Sequence, residues 1–180
     1  MRMIRSTVWF RADEPRRAVH SARRRNSPRA EALRLPQRSF LRIAKIASRR
    51  YYADASALVK LVMRESESGD LAAAIPLGAR LATSALSIVE VTRAVRLAGL
   101  EQDVEAPLTE ILDGCTIIDP DRELLQTAAN LSPRRLRSSD AIHLATALSI
   151  SPDAMFVYDR RLGQAALDAG LRVIAPGAEP

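Results

Sequence analysis

Four acidic residues stand where their type and placement could do chemistry: Asp54, Glu90, Asp140 and Asp159. Carboxylates brought together raise one another's pKa and cannot all stay ionised unaided. A hard divalent cation removes that conflict. Mg²⁺ or Mn²⁺ takes oxygen ligands, keeps several waters, and is usually held by one or two carboxylates plus a substrate phosphate. An ion so held lowers the pKa of a water, orients it in line with a phosphodiester and stabilises the leaving oxygen. There is also a plainer reading. Asp is a favoured N-cap, and Asp54, Asp140 and Asp159 each fall near an expected helix start, so each taken singly reads as a cap. Asp119 reads as a cap only. Glu90 could pair with Arg93 at i+3, a contact worth about 0.2–0.5 kcal/mol. It stands beside an apolar stripe, however, flanked by Val89 and Val91, where a carboxylate is costlier than on an open helix face.

What the sequence lacks narrows the chemistry. The single cysteine, Cys115, allows no intrachain disulfide and suits a reducing, cytoplasmic setting. His20 and His143 are the only histidines, which excludes HExxH and Cys/His zinc sites. The seven glycines never form G-x-G-x-x-G, and neither Lys45 nor Lys60 follows a glycine, so Rossmann and P-loop sites are disfavoured. No serine lies in G-x-S-x-G. Mean hydropathy is near zero (−0.08), and no run approaches the roughly 18 apolar residues of a membrane span. Polar chemistry therefore falls mainly to carboxylates, arginines and hydroxyls.

The acids need elements to position them, and the chain changes texture near residue 50. Residues 1–50 hold 15 Lys+Arg against 3 acidic residues, a balance of +12; residues 51–180 hold 12 against 18, a balance of −6. The overall +6 therefore belongs to the first segment, which shows neither helical nor strand periodicity. Residues 1–49 read as a basic, disordered extension or an over-called start, with an RNA-touching arm and a targeting segment as other readings. Residues 50–180 form the working domain. Strands are expected at Tyr51–Asp54, Arg80–Thr83, Cys115–Asp119, Met155–Tyr158 and Arg172–Ala175. Helices are expected over Ala55–Arg64, Asp70–Ile75, Leu86–Ala98, Val104–Leu112, Asp121–Leu131, Ser139–Ile150 and Leu162–Ala169. The third carries a stripe of Ile88, Val91, Val95 and Ala98, the sixth is apolar nearly all round, and Gly170 closes the last. Strands separated by helices predict an α/β fold with a parallel sheet covered on both faces. Such sheets bind ligands beyond the carboxyl ends of their strands, where the strand order reverses, and Asp54 and Asp159 come directly off strand ends.

Four segments together resemble a PIN domain, and within that superfamily the VapC ribonuclease toxins. They are Tyr52-Ala-Asp54-Ala-Ser56-Ala-Leu-Val-Lys60-Leu, Thr83-Ser-Ala-Leu-Ser-Ile-Val-Glu90-Val, Leu136-Arg-Ser-Ser-Asp140-Ala-Ile-His143-Leu-Ala-Thr-Ala and Val157-Tyr-Asp159-Arg-Arg-Leu162. The resemblance spans roughly Arg50 to Ala175. It implies a three-layer α/β/α sandwich around a mainly parallel sheet, Mg²⁺- or Mn²⁺-dependent RNA cleavage, a homodimer, and inhibition by a VapB-like antitoxin; the lack of a membrane-length apolar run separately predicts no membrane association. Carried over by position, Asp54, Glu90, Asp140 and Asp159 correspond to the family's four acids. Asp54 and Asp140 are the implied direct metal ligands, and Glu90 and Asp159 would complete the pocket or hold metal-bound water. Ser56 matches the family's hydroxyl near the metal; its plain reading is a hydroxyl in a first helical turn.

His143 could hydrogen-bond Asp140 or be a structural histidine on a buried helix. Arg134, Arg135 and Arg137 could contact RNA phosphates or form a solvated loop cluster. Cys115 reads as a small buried hydrophobe. Three other functions compete. A receiver-like domain needs a lysine at a late strand end, and none occurs after Lys60; a dehalogenase-like phosphatase needs an acid at position 56, where Ser56 stands. A PIN-fold scaffold that binds RNA without cutting it would have little use for four retained acids.

Overall fold

The computed structural model describes residues 49–132 and 136–178. The extension over residues 1–48 and the arginines Arg134 and Arg135 lie outside the described residues. Five strands alternate with helices: β1 (Arg50–Ala53), α1 (Ala55–Val62), α2 (Ser68–Ala74), β2 (Arg80–Ser84), α3 (Leu86–Leu97), α4 (Glu101–Asp113), β3 (Cys115–Ile118), α5 (Arg122–Ala129), α6 (Ser138–Ile150), β4 (Ala154–Phe156), α7 (Arg160–Asp168) and β5 (Val173–Ile174).

The five strands pair in the order β3-β2-β1-β4-β5, all parallel. Alternation along β1 divides its side chains between two cores, as the period of two requires. Tyr51 and Ala53 join Leu58, Leu71, Val91, Val95 and Phe156 in the layer built by α1–α4. Tyr52 joins Leu144, Met155, Leu162 and Ala166 in the layer of α6 and α7. The result is the expected three-layer α/β/α sandwich. Burying an aliphatic or aromatic side chain of this size contributes about 1.5–3 kcal/mol, and Tyr52, Leu58, Leu71, Leu144 and Phe156 are completely covered. Strands β1 and β4 are further held by stacking of Tyr51 on Phe156, with ring centroids 5.5 Å apart.

Several local expectations change. The fourth strand is shorter, Ala154–Phe156; the Val157 amide still donates to the Ile174 carbonyl of β5 at 3.3 Å, but Val157 and Tyr158 lie outside the strand on the way into α7. The cap of α5 is Asp121, whose Oδ1 accepts from the Leu124 amide at 2.8 Å; Asp119 lies one residue upstream of Pro120 and does not cap it. The buried stripe of α3 is Ser87, Val91 and Val95, while Ile88 and Ala98 face outward. Ser87 goes inward because its hydroxyl has a partner there: it lies 2.6 Å from Thr83 Oγ1, which donates to the Ala53 carbonyl. Cys115 is half-buried, and burial raises its thiol pKa to about 11. Gly170, at φ +85°, closes α7 as expected.

Candidate active site

The strand order reverses between β1 and β4, so the crevice at their carboxyl ends is where this topology places a ligand. Asp54 leaves β1 there, its amide still bonded to the Phe156 carbonyl of β4 at 3.2 Å. Tyr158 and Asp159 leave the β4 edge. The N-terminal end of α6 contributes its N-cap Arg137, Ser139 and Asp140 of the first turn, and His143 of the next, and α3 contributes Glu90 and Ala94. All of these line one open groove of about 490 Å³, together with Ser56, Lys60 and Glu65. The four sequence-predicted acids therefore meet in one pocket, and Ser56, His143 and Arg137 meet them there. Lys60, Glu65 and Tyr158 were not singled out by sequence; Lys60 lies within the quoted first segment, and its period from Ser56 was the available signal.

Asp54 is both a cap and a pocket acid. Its Oδ1 accepts from the Ala57 amide at 3.0 Å and from Ser56 Oγ at 2.7 Å, while Oδ2 lies 2.9 Å from the same hydroxyl. Ser56 has one proton to give, and Asp54 takes it. The oxygen of Ser56 in turn accepts from the Tyr158 amide at 2.9 Å, which ties the turn after β1 to the turn after β4 across the crevice. Burial pushes the Asp54 carboxyl up to about 6, against the opposing pull of these hydrogen bonds.

Asp140 behaves differently from a cap. The side chain at the N-cap of α6 makes no capping bond, and Asp140 lies within the first turn, not ahead of it. Its Oδ2 is buried and has no hydrogen-bond partner among the described residues; the nearest described cation, Arg161 Nε, is 3.6 Å away, too far for a hydrogen bond. Burial first, and the neighbouring Asp159 charge second, raise its pKa; the Arg137 backbone amide, and then the charges of Arg161 and Arg137, oppose that. Buried polar atoms are nearly always paired, so an orphan carboxylate oxygen in a groove asks for an external cation or donor.

Asp159 caps α7, its Oδ1 accepting from the Arg161 and Leu162 amides at 2.9 Å each; Oδ2 keeps Arg161 Nη2 at 3.9 Å. Glu90 does not pair with Arg93. Its Oε2 meets His143 Nε2 at 2.7 Å, and His143 Nδ1 meets the Tyr52 hydroxyl at 2.7 Å. The histidine thus serves Glu90, not Asp140, because it lies one turn along α6, level with α3. Lys60 is held by Glu65 at 2.6 Å and Glu67 at 2.9 Å, with its ammonium 4.7 Å from the centre of the Tyr158 ring.

Among the described residues no three His, Cys, Asp or Glu side chains close into a protein-only metal cage. The donor set is instead one suited to a hydrated hard cation: two buried carboxylates, one with a free oxygen, and further acids on the walls. That is how Mg²⁺ is ordinarily held, by one or two carboxylates and its own waters. The residues present therefore fit such an ion.

Comparison with known proteins identifies the family and the fold. A family model described as "PIN domain" matches residues 51–167. Ribonuclease VapC35 of Mycobacterium tuberculosis is 41% identical over 132 residues, covering 70% of this chain and 96% of that protein. Ribonuclease VapC46 of the same organism is 37% identical over 127 residues, covering 69% and 96%. The crystal structure of Mycobacterium tuberculosis VapC20, a sarcin-ricin loop cleaving toxin, matches with a TM-score of 0.54 at 14% identity, covering 70% of this chain and 99% of that one. A likeness at that identity speaks to the fold alone.

Proposed function

Because the chain belongs to the PIN domain family, with VapC ribonucleases among its relatives, we propose that it is a divalent-metal-dependent endoribonuclease and the toxin of a toxin–antitoxin pair. The observation that carries the reading is the buried Asp140 Oδ2, without a hydrogen-bond partner among the described residues, on the groove that Asp54 also lines. The groove holds five carboxylates, from Asp54, Glu65, Glu90, Asp140 and Asp159, against Lys60 and Arg137. A phosphodiester would be repelled from such a surface without a cation.

Asp54 and Asp140 would hold Mg²⁺ or Mn²⁺, with Glu90 and Asp159 completing the acidic wall. When bound, the ion supplies charge neutralisation and a lowered water pKa, the two requirements of phosphodiester hydrolysis near neutral pH. The chain's own residues do the rest. Ser56 fixes the Asp54 carboxylate through its single proton, and the Tyr158 amide fixes Ser56. Arg137, on the wall, would bind phosphate oxygens and position a single strand, while Lys60 neutralises Glu65 and Glu67 beside it. Recognition of unpaired RNA is the general expectation for a groove of this kind.

The partners that follow are an RNA substrate, a VapB-like antitoxin and a second copy of the chain. No helix among the described residues is long and apolar enough to cross a membrane; we assign a cytoplasmic setting on the lone thiol and the partner set. Cleavage of single-stranded RNA by the purified chain tests the proposal. Activity should vanish with chelator, return with Mg²⁺, and be lost in Asp54→Asn and Asp140→Asn variants that remain folded. Undiminished, chelator-insensitive cleavage by either variant would refute it.

A further inference from the structure

Glu90 is the one groove acid carried mid-helix on a long, rotatable side chain. On α3 its neighbours Ile88 and Val89 face solvent, and its own side chain is 30% exposed. Nothing in the helix itself prevents the carboxylate from turning outward. What holds it inward comes from two other elements. His143 on α6 is almost fully buried and places Nε2 at 2.7 Å from Glu90 Oε2; Tyr52 on β1, completely buried, places its hydroxyl at 2.7 Å from Nδ1.

The two distances constrain where the imidazole hydrogen lies. If Nε2 carried no hydrogen, its lone pair would face a carboxylate oxygen at 2.7 Å, with no proton between them. With a hydrogen on Nε2, the ring donates to Glu90, and the Tyr52 hydroxyl can donate to Nδ1 and lock the ring plane. Glu90 is then held through Oε2, while Oε1 makes no hydrogen bond among the described residues and stays available to the groove. A histidine whose far nitrogen is fixed by a partner is a common way to orient a group at a cation site.

We infer that His143 is a positioning residue for the proposed ribonuclease centre: anchored by Tyr52, it donates Nε2–H to Glu90 and keeps that carboxylate turned into the groove. This rests on the proposed function for its kinetic consequence, but its geometric content stands apart from it.

Three measurements test it. Only two histidines occur in the chain, and the other, His20, lies in the basic extension, so ¹⁵N-labelled imidazole spectra of the full-length, metal-free protein read His143 directly. A slowly exchanging Nε2–H signal is expected, altered in Glu90→Ala and in Tyr52→Phe. A ring bearing its only hydrogen on Nδ1 would overturn the inference. In RNA cleavage, His143→Ala should lower kcat about 10- to 100-fold, the usual effect of removing such a support, with KM little changed. His143→Gln, whose side-chain amide offers a donor near the position of Nε2, should recover most of that loss. Equal losses in the alanine and glutamine variants, both folded, would mean that the histidine acts only by packing. In a Glu90→Gln background with residual activity, His143→Ala should add far less than it does alone; a full additive loss would also overturn the inference. If the wild-type chain cut no RNA, the functional proposal would fail, while the imidazole spectra would still decide the geometry.

Discussion

Replacing Asp54 with Asn should make the metal-free protein more stable while destroying its activity. Asp54 is 4% exposed, and its carboxyl titrates at about 6 in place of 3.8. The sign follows from proton uptake. Between about pH 4 and pH 6 the folded state binds this proton more tightly than the unfolded chain, so stability falls as pH rises through that window and stays reduced above it. The size at neutral pH is about 3 kcal/mol, from 1.36 kcal/mol per tenfold change in proton affinity. Asn removes the buried charge and keeps an oxygen for the Ala57 amide, but its NH₂ group loses the second contact with Ser56. A net gain of about 1–3 kcal/mol is expected, which for a domain of this size is an increase in Tm of roughly 4–10 °C. The assay is thermal unfolding in chelator at pH 4, 6 and 8, wild type against variant. The variant should gain at pH 8 and converge with wild type near pH 4. Millimolar Mg²⁺ should then stabilise the wild type but not the variant, since only a ligand of the folded state raises stability. A variant no more stable than wild type at pH 8, or a gain independent of pH, would refute the account of Asp54 as a buried charge awaiting a cation.

Other substitutions separate the roles of neighbouring residues. Asp121→Ala removes a cap that does not line the groove; denaturant unfolding should show a loss of about 1 kcal/mol, with RNA cleavage unchanged. Ser56→Ala leaves the Tyr158 amide without its partner and Asp54 without its fixed donor, so a destabilisation of about 1–3 kcal/mol is expected, together with a fall in kcat by steady-state cleavage. Lys60→Ala releases Glu65 and Glu67 beside the groove, and should raise KM for RNA several-fold, with the effect growing as ionic strength falls.

The four acids were legible because three of them sit at boundaries that the sequence marks well. Asp54 and Asp159 follow short β-like runs and precede helical ones, and Asp140 opens an apolar helix. Helix starts and strand ends leave local signatures, and in a parallel sheet those are also the ligand-binding edge. The pairing of β1 with β4, which makes the crevice, was not readable, because strand order is a long-range property. Nor was the destination of His143, three residues after Asp140. On α6 that spacing carries it about one turn away, and its partner comes from α3, 53 residues earlier in the chain. Asp119 and Asp121 illustrate the remaining limit. Both flank Pro120, and only the geometry of the turn decides which carboxylate reaches the first free amides of α5.

The central claim is that Asp54 and Asp140 together hold a divalent cation at the β1/β4 crevice. Anomalous diffraction from crystals of the full chain soaked in Mn²⁺ tests it most directly. The account predicts a peak within ligand distance of Asp140 Oδ2 and an Asp54 oxygen, lost in Asp140→Asn. A peak at other residues only, or an empty crevice at millimolar Mn²⁺ in well-ordered crystals, would contradict it.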